Sequence, residues 1–99
     1  MKLTFLTYNE YVDPQVAQIL KQLSIDYYTR WEQVKGKGHD TEPHTGFGRH
    51  ASTNVVLMIG IQDESVLPPL VAAIHAANST ARRSDEHIRL FQVPMELMV

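Results

Sequence analysis

Residues 12–25, VDPQVAQILKQLSI, decide the fold. Asp13 has a side chain that can cap a helix, and Pro14 suits the first helical position, where its missing N–H would have been unpaired anyway. Val16, Ile19, Leu20 and Leu23 follow with the spacing of one buried helical face. The segments on either side have strand chemistry. Residues 2–8, KLTFLTY, set Leu3, Phe5 and Tyr8 among threonines, and residues 26–35, DYYTRWEQVK, carry Tyr27, Tyr28, Thr29, Trp31 and Val34. The first third of the chain therefore reads strand, helix, strand.

The same order returns further on. In TNVVLMIGIQ, residues 53–62, the run Val55, Val56, Leu57, Met58, Ile59 is almost wholly apolar, as a central strand covered on both faces would be. ESVLPPLVAAIHAANST, residues 64–80, predicts a second helix with Ser65 as cap and Leu67, Leu70, Ile74 and Ala77 on one face. Pro68 and Pro69 must lie in its first turn, because deeper in they would break the hydrogen-bond ladder. HIRLFQVPMELM, residues 87–98, alternates Ile88 and Leu90 with Arg89 and Phe91 and gives a closing strand interrupted at Pro94. Two interlocked β-α-β units make an α+β ferredoxin-like sandwich, an antiparallel sheet with both helices on one face. The other face has no covering element. Tyr27, Trp31 or the aromatic and methionine residues of the last strand would sit there, and such a face is usually buried by self-association.

The 99 residues suit one domain, residues 1–99, with a flexible loop at 36–52. A net charge of −2 argues against nucleic acid or an anionic membrane as a general partner. No cysteine is present, so neither a disulfide nor a thiolate metal site is available. The N-terminus lacks the apolar core of a signal peptide, and no apolar run approaches the roughly 18 residues of a membrane span. The expected location is the cytoplasm.

The loop holds the densest chemistry. GKGHDTEPHTGFGRH, residues 36–50, offers His39, His44 and His50 with Asp40 and Glu42 as nitrogen and oxygen donors for a divalent transition metal such as zinc, copper or nickel. Their spacing matches no zinc-finger pattern. A solvated polar loop is the plainer alternative. Gly36, Gly38, Gly46 and Gly48 with Lys35, Lys37 and Arg49 raise a phosphate site, although no P-loop or dinucleotide fingerprint is present. Phe47 between glycines is either a partner anchor or folded back onto the body.

Two stretches carry a family resemblance. LSIDYYTRWEQVKGKGH, residues 23–39, resembles the end of the first helix and the following strand in PII signal-transduction proteins, which run into V-x-G-x-G and a long loop. STARRSDEHIRLFQV, residues 79–93, is similar to their turn T-G-x-x-G-D-G-K-I-F-V, with Thr80, Asp85, Ile88 and Val93 in step. With the matching element order the similarity covers nearly the whole chain. It implies a homotrimeric, non-enzymatic regulator whose subunit clefts bind adenine nucleotides and whose loops meet a target, a membrane transport protein among the partner classes. Ala81, Ser84 and Glu86 stand where the family has glycines, and Glu86 would bring negative charge near a bound phosphate. Arg82 and Arg83 offer a bidentate anion clamp in compensation. The expected effector contacts are Lys35, Gly36, Lys37, Gly38, Arg82, Arg83 and His87, with ADP, AMP, ATP or another anion as ligand.

The alternative is a small dimeric ferredoxin-like enzyme of the monooxygenase type. Ser52 with His50 and Asp40 has the residue types for nucleophilic catalysis, but nothing in the sequence fixes their geometry. His75 is expected at a helix flank, and Trp31 on the sheet face or at an interface. Met95 and Met98 suit either packing or a soft copper ion.

Overall fold

The computed structural model describes residues 1–38 and 52–99, and four strands and two helices account for most of them. In chain order they are β1 (Lys2–Asn9), α1 (Asp13–Gln22), β2 (Thr29–Val34), β3 (Asn54–Ile61), α2 (Leu67–Ser79) and β4 (Arg89–Pro94). The sheet order is β2-β3-β1-β4, and every pair is antiparallel. This is the expected ferredoxin-like sandwich.

One face of the sheet makes the core. Leu6 and Tyr8 of β1 and Val55, Leu57, Ile59 and Ile61 of β3 are buried against Val16, Ile19 and Leu20 of α1 and Leu67, Leu70 and Ile74 of α2. These are the helical faces expected from spacing alone. Each such side chain withdrawn from water contributes roughly 1.5–3 kcal/mol before conformational entropy is charged against it. Thr4 lies on the same inner face, fully buried, and its hydroxyl finds no hydrogen-bond partner among the described residues.

The helix starts differ from the sequence expectation in detail. Asp13 is the first residue of α1, not its cap, and a 3₁₀ turn at Glu10–Val12 precedes it, capped by Asn9. Likewise Asp63, not Ser65, caps the 3₁₀ turn that leads into α2, where the prolines occupy the first turn as expected. In both places a short polar side chain reaches a backbone N–H two residues on. Pro94 ends β4 opposite Lys2 instead of interrupting a longer strand.

Freed from capping, the Asp13 carboxylate ties three elements together. Tyr8 Oη donates to Asp13 Oδ1 at 2.6 Å, and Arg30 of β2 donates Nη1 and Nη2 to its two oxygens at 2.9 and 3.1 Å. The Arg30 hydrogen bonds hold the Asp13 carboxyl below its usual range, against the opposing effect of partial burial. Burial, reinforced by the Asp13 bond, pushes the Tyr8 phenol above its ordinary value. Because the folded carboxyl titrates below the unfolded one, at about 3.9, its contribution is complete above that pH. It is lost as pH falls through the lower folded value. Asp13→Asn should therefore lower the melting temperature at pH 7, and the gap from the parent should close as thermal melts are taken to more acid pH. A gap that stays constant on acidification would remove this carboxylate from the acid limb.

The outer face behaves otherwise. Strand alternation places Leu3, Phe5, Val56, Met58, Trp31, Phe91 and Val93 there, through the register pairs Leu3–Val93, Phe5–Phe91, Phe5–Met58 and Trp31–Val56. Trp31, Phe91 and Val93 are exposed, and no helix among the described residues covers them. The expectation that β3 is covered on both faces needs correction, since its residues alternate between buried and half-buried along its whole length. The near-continuous apolar run arises because the outer face is also apolar. The end of the chain does lean on this face: a Cβ on Gly60 would stand 2.7 Å from Met98 Sδ and 3.8 Å from Met95 Cε. Both methionines thus pack over the one β3 residue that has no side chain.

Candidate functional site

All four strands have ends at one edge of the sandwich: β1 and β2 finish there, and β3 and β4 begin. A cavity of about 420 Å³ opens at this edge. Gly36, Lys37 and Gly38 line it from the stretch beyond β2, and His87 and Arg89 line it from the start of β4. Thr7 and Phe91 supply part of the sheet surface, and Asn54 and Asp85 complete the polar wall. Four of the expected effector contacts, Gly36, Lys37, Gly38 and His87, are brought together here.

Local structure explains why these groups converge. Gln33 adopts a left-handed backbone conformation, φ 57°, and the β2–β3 register shifts between Trp31 and Val34. This bulge turns the chain so that Gly36 comes against the start of β3. A Cβ at Gly36 would collide with the Asn54 side-chain amide, so a larger residue here must displace that amide from the cavity wall. On the opposite wall, Asn78 at the end of α2 donates Nδ2 to the Ile88 carbonyl at 2.9 Å and accepts the Ile88 N–H at 2.7 Å. With Ile88 buried in the core, this double bond fixes the backbone between His87 and Arg89. Asn9 Nδ2 donates to the buried Ser52 hydroxyl at 2.8 Å, anchoring the chain where it re-enters β3.

The cavity is electrostatically mixed. Lys37 Nζ, which donates to the Gly38 carbonyl at 3.2 Å, and Arg89 are cationic and exposed. The Tyr8 hydroxyl is committed to Asp13. Asp85 brings one carboxylate, its side chain 8 % exposed and ion-paired to Arg83 at 2.7 Å. Acidic charge near the cavity was expected from Glu86; it is Asp85 that lines the wall. Arg82 and Arg83 are not among the lining residues, and Arg83 turns its guanidinium onto Asp85. Lys35 is also absent from the lining.

Arg89, Asn54, Asn78 and Phe91 are the site residues that the sequence alone did not bring forward. In the sequence Arg89 is the polar half of an alternating strand, and its place two residues past His87, on the same wall, is the signal that points to it. The metal expectation at His39, His44 and His50, the anchor at Phe47 and the partners of Ser52 at Asp40 and His50 lie outside the described residues. Among the described residues no three histidine or carboxylate groups stand close enough to hold a metal ion. His75 is exposed on α2, as expected. A second cavity, about 510 Å³, lies on the outer sheet face among Tyr27, Tyr28, Met58, Gly60 and Met98. No helix among the described residues is long and apolar enough to cross a membrane.

No protein-family model and no curated protein matches the sequence. Solved structures do. The chain is similar to CPII, a nitrogen regulatory PII-like protein from Thiomonas intermedia K12 bound to ADP, AMP and bicarbonate, with a TM-score of 0.70, 12% identity, and coverage of 93% of this chain and 84% of that one. It is also similar to CPII bound to ADP and bicarbonate, with a TM-score of 0.69 at 12% identity and the same coverage, 93% and 84%. For the apo form of CPII the TM-score is 0.63 at 10% identity, over 93% of this chain and 87% of that one. The resemblance in the two sequence stretches and the likeness in three dimensions agree on one fold, that of the PII-like proteins.

Proposed function

We propose that this chain, on its PII-like fold, is a non-enzymatic regulatory protein that binds an adenine nucleotide or a related small anion in the cavity at the sheet edge. The observation that carries this is a convergence. Gly36, Lys37 and Gly38 after β2 and His87 before β4 are remote in sequence, yet they line the same cavity, with Arg89 beside them. Two cations, an imidazole and glycine backbone are the donors that recognise phosphate or carboxylate. Phe91, where the outer face meets the cavity, adds an aromatic ring on which a base can stack. CPII, the similar protein, has been crystallised with ADP, AMP and bicarbonate, ligands of the same anionic class.

The protein acts as a homotrimer, with the outer sheet face as the contact between copies, and Lys35 and Arg82 reach the ligand from around the cavity. The loop at 36–52 passes the bound state to a partner in the cytoplasm, a membrane transport protein being the class that the resemblance points to. Native mass spectrometry of the intact assembly with ADP, AMP, ATP and bicarbonate added separately tests this. A trimer that takes up three nucleotides or anions supports the proposal. A dimer that takes up none would sink it and favour the small-enzyme alternative.

A further inference from the structure

The clamp expected of Arg82 and Arg83 already holds an anion on one of its two arms. Arg83 Nε donates to Asp85 Oδ1 at 2.9 Å and Nη2 donates to Oδ2 at 2.7 Å. This parallel pair is the geometry a guanidinium would offer to phosphate oxygens. Arg83 and Asp85 are two residues apart, and the Glu86 N–H donates to the Arg83 carbonyl at 3.1 Å, closing the turn that holds them. The pair is therefore local, and any outside anion must compete with a partner tethered at high effective concentration. Asp85 also faces the cavity, on the same wall as His87 and Arg89 and across from Lys37.

We propose that Asp85 is a specificity-determining residue: it occupies the Arg83 fork as an internal anion and sets an upper limit on the negative charge that the cavity accepts. The inference rests on the cavity being the anion site. Two physical effects act together. The Nε–Nη2 edge of a guanidinium can form one bidentate pair at a time, so Arg83 serves a ligand only after leaving Asp85. A carboxylate in the wall also repels each ligand charge placed near it, and the penalty grows with every added phosphate. The site is thus biased toward ligands that bring fewer charges to this wall, a nucleoside monophosphate or a small monoanion over di- and triphosphates.

Isothermal titration of AMP, ADP and ATP into the parent protein, Asp85→Asn and Arg83→Gln tests this. Asp85→Asn keeps the shape of the side chain and removes its charge. It should tighten ADP and ATP by about tenfold or more and AMP by distinctly less. Arg83→Gln alone should weaken ADP severalfold, because it leaves the Asp85 carboxylate in the wall without the Arg83 counter-charge. In the double variant the part of the gain that comes from a released Arg83 should disappear. Trp31 fluorescence melts check that each variant is folded. If the parent binds a nucleotide but Asp85→Asn leaves the ADP-to-AMP ratio unchanged, the role of Asp85 is wrong and the anion site stands. If neither the parent nor Asp85→Asn binds any of the three, the anion site falls and this inference with it. Binding by Asp85→Asn alone would support the internal-anion role at its strongest.

Discussion

Lys37→Ala combined with Arg89→Ala is expected to weaken ADP binding by roughly two to four orders of magnitude. The figure follows from the two groups concerned. A hydrogen bond to a charged partner contributes about 1.5–3 kcal/mol, and each 1.4 kcal/mol is about tenfold in affinity. The two cations face the cavity from opposite sides, one beyond β2 and one at the start of β4, so a ligand between them loses both at once. Neither is buried, and neither contributes to the apolar core, so the fold should survive the change. Isothermal titration against ADP gives the affinity, and a far-ultraviolet circular dichroism spectrum checks the fold. An affinity within twofold of the parent in a folded variant would place the nucleotide elsewhere. The salt dependence should change with it: the parent should bind more weakly as ionic strength rises, and the double variant should respond less.

The fold was legible in the sequence because hydrophobic spacing is a direct record of burial. Val16, Ile19 and Leu20 on α1 and Leu67, Leu70 and Ile74 on α2 form the helical half of the core as their spacing requires. The prolines at the start of each helix could sit only in a first turn. β3 was harder to read. Its apolar run is the same whether the outer face is covered by helices or left for another chain, so composition could not separate the two cases. The caps differ from the sequence expectation because local chemistry does not show which partner a carboxylate finds. Asp13 has the right chemistry for a cap, but Arg30 and Tyr8 offer its carboxylate more hydrogen bonds than two free backbone N–H groups would.

The site was legible in part. Gly36, Lys37, Gly38 and His87 were singled out through the family resemblance, and the fold alone brings their segments to one edge. Arg89 and Asn78 were missed because their roles depend on distant partners. Asn78 matters through a double hydrogen bond to the Ile88 backbone, and no local pattern announces such a bond. Arg83 shows the opposite limit. Its spacing to Asp85 is plain in the sequence, but whether an arginine faces a ligand or a neighbouring acid is decided by turn geometry.

A single charge on the outer sheet face should dissociate the proposed trimer. Val93 is about half exposed in the lone chain, opposite Leu3 on β1 and outside the cavity. In the free subunit Val93→Glu changes an exposed position on an edge strand, which costs within roughly 1 kcal/mol. In a trimer built on this face the same carboxylate must leave water, at roughly several kcal/mol per ion. Symmetry repeats that cost in each copy and brings like charges toward one another. Size-exclusion chromatography with light scattering should therefore report a trimer mass for the parent and a monomer mass for Val93→Glu at micromolar concentration. The melt of the variant should remain cooperative, because Leu6, Leu57, Ile59 and Leu70 lie on the other side of the sheet. A variant that keeps the trimer mass would exclude the outer face as the contact. Nucleotide titration of the monomer then separates two architectures. A cavity completed by a neighbouring subunit would lose affinity on dissociation, whereas one self-contained between the end of β2 and the start of β4 would keep it.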